Sequence, residues 1–426
     1  MTGEMSVVQR AVTDALWGMC AADSLSMPVH WYYDVDDIQR DFRGWIRGFA
    51  PPRNTHPSSI LSLSNTGGSG RWSSGPRRPD VVGRLILHDK LDLWTKSRGD
   101  THYHHGLSAG DNTLNALCSL RVALSLVSGG FSDVSSPDAR AAVLADYVSF
   151  LTTAGSHRDT YAESFHRDFF SCWQEERPTE PRQLLEFAER RSVSALSAPW
   201  PDSQLDAIGC LPMILPFVLL SADAPPEQAE RAAVEMVKLT HPHPRVPGWV
   251  SLYSRALHRV VGGGQRPGGG TARSEEPGCV GSLPGVQQQG SKVPCWVRAA
   301  PPGSSERCLS ARTGLLHQRF TGILLYRIEN NCTCYLFTVT LHLSVTCAGA
   351  LGSLFYLAHE FHADAAAGLL ANTNCGGENC NRGAALGALL GAGGAYRGAG
   401  VPTAWREELR DARETIPLIL KNINIK

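Results

Sequence analysis

Gly383, Gly387 and Gly391 recur every four residues inside ANTNCGGENCNRGAALGALLGA, residues 371–392, a stretch built almost wholly from small side chains. In a helix this spacing stacks the three glycines along one nearly flat face. Each costs a helix interior about 1 kcal/mol relative to alanine, so three together point to another backbone packed very close. The loop before the helix carries a second signal. Gly376-Gly377 lets the chain turn sharply, and Glu378, Asn379 and Asn381 then fall at the helix start, where oxygen-bearing side chains and free N–H groups gather. Such a place binds an anion through the helix terminus, binds a hard cation through carboxylate and amide oxygens, or simply caps the helix.

The chain's 426 residues can bury a substantial core in one large domain or a few ordinary ones. Lys and Arg number 40, as do Asp and Glu, so no global field favours nucleic acid or an anionic membrane, and a small-molecule or protein partner is expected. The opening MTGEMSVVQRAVTDALWGMC lacks a basic start and a continuous apolar core, which argues against a signal peptide and for an intracellular, cytoplasmic location. The apolar stretch from Tyr335 to Ala358 carries Thr, Ser, Gly and His342, so it reads as a buried element rather than a membrane span. Six of the twelve cysteines (Cys279, Cys295, Cys308, Cys332, Cys334 and Cys347) crowd one segment without the CxxC pairs of a zinc site.

Outside that segment the pattern is helical. Ala11, Ala15 and Met19 follow Val7 or Val8 at helical spacing, as do Leu114, Cys118 and Val122. Further helical windows cover 139–154, 159–172, 182–195, 206–221, 226–239, 248–261, 350–371 and 381–396. Strand alternation shows only in GILLYRI and CYLFTVTLHLSV, so the expected fold is all-α, a compact multi-helix domain. Residues 263–312 are rich in Gly, Pro, Ser and Gln without period, the composition of a disordered segment or a linker. The expected organisation is one helical domain formed by 1–262 and 347–415, an insertion over 263–346 that is in part a gene-model artefact such as a retained intron, and a C-terminal tail over 416–426.

Four other stretches hold groups capable of chemistry. In GMCAADSLSMPVH, residues 18–30, a helix ends near Asp23 and the chain turns at Pro28; in AGDNTLNALCSL, residues 109–120, Asp111 and Asn112 precede an apolar helix. Helix capping is the plainer reading of each taken singly. In SHRDTYAESFHRDFF, residues 156–170, helical spacing would put Asp159, Glu163 and His166 on one face, as metal ligands or as a solvated charge pattern. LTHPHPR, residues 239–245, offers an HxH pair or merely a rigid turn. Taken together, oxygen ligands at two helix starts far apart in sequence (Asp111 and Asn112; Glu378 and Asn381) suit a hard divalent ion held between helix ends.

The order of these motifs resembles the ADP-ribosylglycohydrolase superfamily, which includes the dinitrogenase reductase-activating glycohydrolases and related jellyfish lens crystallins. In that family an opening helix runs into G-D-A-L-G-x-P, T-D-D-T opens a second helix, a T-H turn follows mid-chain, and A-N-x-G-G-D-x-D-x precedes a Gly/Ala helix. The counterparts here are AADSLSMP (21–28), GDNT (110–113), LTHPHP (239–244) and the glycine-rich stretch at 371–392, so the likeness covers about 5–262 and 347–400. It implies an all-α domain with two Mg²⁺ ions in a cleft where ADP-ribose binds and its glycosidic bond is hydrolysed. By this resemblance Asp111 and Glu378 are catalytic, and Asp111, Asn112, Glu378 and Asn381 hold metal. Gly376, Gly377, Asn379 and Asp23 would meet substrate, while Gly209 in DAIGCLP and the Gly67-Gly68 turn in SNTGGSGR either offer backbone N–H groups to a diphosphate or are surface turns.

The chain departs from the family pattern where metal would bind. T-D-D becomes Gly110-Asp111-Asn112, D-x-D-T becomes Glu378-Asn379-Cys380-Asn381, the glycines beside Asp23 become Ala22 and Ser26, and His30 stands near where a carboxylate is often found. Sulfur does not suit Mg²⁺, and two carboxylates offset less of the charge on two ions, so weaker metal binding is expected. Three functions fit: a hydrolase of ADP-ribose linkages acting on an ADP-ribosylated protein or small molecule; an ADP-ribose or nucleotide binder without catalysis; and a crystallin-like structural protein.

Overall fold

A computed structural model describes residues 5–68, 79–96, 99–199, 201–264, 345–423 and 425, with the backbone of 323–327 and 334–338. The chain divides into a unit of Met1–Gln265 with Thr321–Lys426 and a unit of Arg266–Phe320; only the first falls within the described residues. Most of the expected insertion lies outside them.

The first unit has an all-α body with one short hairpin. Its helices in order are α1 (Val7–Ser26), α2 (Val35–Phe42), α3 (Leu91–Thr95), α4 (Leu114–Ser128), α5 (Pro137–Thr152), α6 (Ser164–Glu176), α7 (Pro181–Leu196), α8 (Cys210–Leu219), α9 (Pro226–Thr240), α10 (Val246–Val261), α11 (Cys347–Glu360), α12 (Ala365–Asn374), α13 (Asn379–Ala395), α14 (Thr403–Glu408) and α15 (Asp411–Asn422). A hairpin of β1 (Ile323–Arg327) and β2 (Cys334–Thr338) pairs Ile323 with Thr338 in antiparallel register, within the two alternating stretches. Among the described residues no helix is long and apolar enough to cross a membrane.

Local signals start the helices. Ser6 and Gln9 form a capping box ahead of α1, and Ser136 caps α5 with Pro137 at its first position. The window 350–371 is two helices, because Asp364 caps a fresh start at Ala365. The expected tail is helical from Asp411, and Ile416 and Ile419 are buried in the core of α1, α8, α10, α11 and α13. A second core gathers Phe165, Phe169 and Phe170 of α6 with residues of α5, α7 and α9.

The glycine face packs against α1. A methyl on Gly387 would overlap the carbonyl oxygen of Gly18, and one on Gly391 the carbonyl of Asp14, while Gly383 lies by Ala22. The order 22/383, 18/387, 14/391 makes α1 and α13 antiparallel, so the end of α1 and the start of α13 meet at one end of the body.

Candidate active site

Residues 376–378 are held by the strand of chain that follows α1. Gly376 and Gly377 have φ of +65° and +63°, which glycine adopts without penalty. Gly377 N donates to Tyr32 O at 2.7 Å and Trp31 N donates to Gly377 O at 2.9 Å. Trp31 itself sits at φ +64°, a costly conformation for a bulky residue. The geometry aims its indole, whose Nε1 donates to Glu378 Oε2 at 2.5 Å. Glu378 stands at the N-cap of α13 but makes no side-chain cap, so the capping reading does not describe it. Gly376 and Gly377 act through the backbone of Trp31 and Tyr32, and Asn379 donates to the carbonyls of Val29 and Thr373.

From Glu378 a row of buried side chains runs inward. Glu378 Oε1 lies 3.0 Å from His30 Nε2, His30 Nδ1 lies 2.7 Å from His104 Nε2, and His104 Nδ1 lies 2.8 Å from Asp159 Oδ1. Asp159 Oδ2 accepts from Leu114 N at 2.8 Å, tying the row to the start of α4. A second branch leaves Asn381, whose Nδ2 donates to both Glu378 Oε1 at 2.8 Å and Glu163 Oε1 at 2.6 Å. Asn115 Nδ2 also donates to Glu163, at 2.8 Å, and its own oxygen meets His166 Nε2 at 2.8 Å. Every member is buried, so these bonds act at low dielectric, where they hold geometry tightly.

The two glutamates have opposed proton affinities. Burial, and then the charge of Glu378, push Glu163 up to about 8 despite the donors on it. Burial would raise Glu378 too, but His30, the Trp31 indole and Asn381 outweigh it and hold this carboxyl below its ordinary value. Asp159 is likewise held low by His104 against the effect of burial. Glu163 borders an open cleft of about 210 Å³ walled by Trp31, Tyr33, Tyr103 and Tyr161.

Several expected site residues have other work. Asp111 accepts from Ser108 N and pairs with Arg158, with Arg410 at 3.7 Å, and no bond joins it to Glu378. Asn112 Nδ2 donates to Cys20 O and to Asp23 Oδ2 at 2.9 Å, leaving its buried oxygen without a partner. Asp23 also takes Thr113 N at 2.8 Å and Thr113 Oγ1 at 2.6 Å, so it cements α1 to the start of α4; burial raises its carboxyl to about 6 against those donors. Gly68 packs on the backbone of Arg167 and Asp168, with Gly67 N turned to Asn65 Oδ1, a contact rather than a diphosphate cradle. At Gly209 a side chain would strike the Glu163 carboxylate, so this glycine makes room for that group. Asp159, Glu163 and His166 do not share a helix face. Only His166 lies within α6, because Glu163 is its N-cap residue and Asp159 sits in the preceding loop, freed to reach His104.

Residue types alone did not single out Trp31, His104, Asn115 and the tyrosines. A signal existed in HYHHG, residues 102–106, four ring side chains in succession just ahead of the GDNT turn. His56 Nε2 meets His30 O at 2.8 Å and His102 Nε2 meets Pro28 O at 3.1 Å, so two more histidines pin the backbone before the site. Among the described residues, His30, His104 and Cys380 place one nitrogen or sulfur each within 4.8 Å of one another.

No curated protein matches the chain. A solved structure described as an ADP-ribosylglycohydrolase-related protein complex aligns with 98% of this chain and 99% of its own, at 15% identity and a TM-score of 0.42. The model of the ADP-ribosylglycohydrolase family matches residues 5–424, nearly the whole length, and the chain belongs to that family.

Proposed function

We propose that the protein hydrolyses a glycosidic bond of ADP-ribose, with Glu163 as proton donor and Glu378 as the fixed negative charge beside it. The observation that carries this is the Glu163–Asn381–Glu378 bridge: two buried carboxyls sharing one amide, one pushed to hold its proton near neutral pH and the other held ionised. Environments that drive two carboxyls apart in this way assign acid and base roles. Breaking the bond at the anomeric carbon builds positive charge on the ribose. Glu163 gives its proton to the leaving group, water adds to the carbon, and that water returns a proton to Glu163. Glu378 steadies the developing cation, and the Trp31, Tyr33, Tyr103 and Tyr161 walls offer flat apolar surface to an adenine or ribose ring.

The Mg²⁺ that the family resemblance implies does not fit the donors expected to hold it. Asp111 is paired with Arg158 and bonded to no other expected donor, Asn381 turns its amide N–H groups to Glu163 and Glu378, and Cys380 replaces an oxygen with sulfur.

The test is release of free ADP-ribose from ADP-ribosylated arginine, ADP-ribosylated serine peptides and small ADP-ribosides, with calorimetric titration of ADP-ribose alongside. Turnover is expected to fall about a hundredfold or more in Glu163→Gln while ADP-ribose still binds, the usual scale for losing a general acid. Turnover within threefold of the original, or a folded protein that does not bind ADP-ribose, would refute the assignment.

A further inference from the structure

His30 and His104 each turn one ring nitrogen to a buried carboxylate, Glu378 at 3.0 Å and Asp159 at 2.8 Å. If the carboxylates accept, as ionised carboxylates must, those two nitrogens carry the rings' only hydrogens in their neutral forms. The remaining nitrogens, His30 Nδ1 and His104 Nε2, are then bare lone pairs facing each other at 2.7 Å. Two acceptors at that distance repel unless a positive centre lies between or beside them. A proton would serve, and so would a metal ion.

Two further observations favour the metal. An imidazole whose far N–H is tied to a carboxylate is the arrangement that orients metal-ligating histidine, and here it occurs twice, on converging rings. Cys380 brings its sulfur within 4.8 Å of one ring nitrogen of each histidine, and all three residues are at most 3% exposed.

We infer that His30, His104 and Cys380 form a site for a borderline-soft divalent ion of the Zn²⁺ class, with Glu378 and Asp159 orienting the two imidazoles. The two nitrogens would part from 2.7 Å to the roughly 3.3 Å that two metal–nitrogen bonds span at a tetrahedral centre, and Cys380 would give its thiol proton to solvent as the sulfur–metal bond forms. Two neutral imidazoles and a thiolate leave a net charge of +1, which the neighbouring carboxylates offset. Three protein ligands also leave a position open, as in zinc sites that bind water or substrate. Hard oxygen donors that suit Mg²⁺ are replaced here by nitrogen and sulfur, which select another class of metal.

The site shares residues with the proposed active centre, but its test needs no substrate and stands whether or not hydrolysis is found. The full chain, stripped with chelator and kept reduced, is titrated with Co²⁺ while the thiolate-to-metal charge-transfer absorption is followed, then challenged with Zn²⁺ and with excess Mg²⁺. One Co²⁺ per chain is expected, displaced by Zn²⁺ and not by Mg²⁺. The absorption should vanish in Cys380→Ser, and affinity should weaken at least about tenfold in His104→Gln and in Asp159→Asn. Among the described residues the thiols of Cys210 and Cys347, 3.5 Å apart, are the competing soft pair, so Cys210→Ser should leave the absorption unchanged. A chain folded by circular dichroism that takes up no Co²⁺, or an absorption that survives Cys380→Ser or disappears in Cys210→Ser, would overturn the inference and leave a shared proton between the rings. Should His104→Gln fail to fold, the two cysteine variants decide.

Discussion

Replacing Glu163 by Gln should change how stability depends on pH, by an amount that follows from the carboxyl's surroundings. Glu163 is pushed from 4.5 to about 8 by burial and then by the Glu378 charge, with Asn381 and Asn115 opposing. Between those two values the folded chain keeps a proton that the unfolded chain has released. Its contribution is therefore fully present below about pH 4.5 and is lost as pH rises through about 8, at about 1.4 kcal/mol per unit. Across the window this amounts to roughly 4 to 5 kcal/mol. Gln keeps the oxygen that accepts from Asn115 and Asn381 and cannot ionise, so the variant should match the original chain near pH 5 and exceed it by several kcal/mol at pH 9. Urea unfolding at pH 5, 7 and 9, followed by tryptophan fluorescence, reads the difference directly. Asp23, raised to about 6, gives a slope of the same sign in both proteins, so it cancels in the comparison. Two stability curves that stay parallel from pH 5 to 9 would show that Glu163 titrates like an exposed glutamate and would remove the acid assigned to the site.

Gly387→Ala gains about 1 kcal/mol of helix propensity but drives a methyl into the Gly18 carbonyl of a neighbouring backbone; overpacking should win, with a net loss of about 2 kcal/mol and a lower melting temperature by calorimetry. Asp111→Asn should lower stability by about 1 kcal/mol in chemical unfolding, because its partner Arg158 is half exposed, and should leave ADP-ribose binding within about twofold, whereas the sequence pattern alone would have this change abolish binding. Tyr161→Ala, which removes one wall of the cleft, should weaken ADP-ribose binding about tenfold in titration calorimetry while Glu163→Gln leaves it nearly unchanged.

The glycine seam was readable from residue types because only backbone-to-backbone packing makes three helical glycines worth keeping, and α1 supplies that backbone. The loop at 376–378 was readable for a similar reason: paired glycines followed by oxygen-bearing residues at a helix start. What spacing could not convey is direction. Asp111 occupies a motif position, yet Arg158 and Arg410, distant in sequence, turn it away from the other acidic groups. Helical spacing put Asp159 and Glu163 on the face of His166, but the helix begins only at Ser164, and the loop before it delivers both carboxylates to the site. His104 was overlooked because a histidine in a loop has no period to reveal it. Its role appears only when His30 and Asp159 are brought to either side.

The antiparallel pairing of α1 with α13 has a consequence for the order in which the molecule comes into being. His30 and Glu378 are 348 positions apart, so α1 leaves the ribosome long before the helix it packs against. At usual rates of synthesis that interval is on the order of tens of seconds. Throughout it, the flat side of α1 around Gly18 lacks its partner and the imidazole of His30 lacks its carboxylate. Contacts this remote in sequence form late and slowly. A nascent or truncated chain ending before residue 378 would therefore be a candidate for chaperone retention rather than a smaller working version, and an early stop would cost the cell the whole protein.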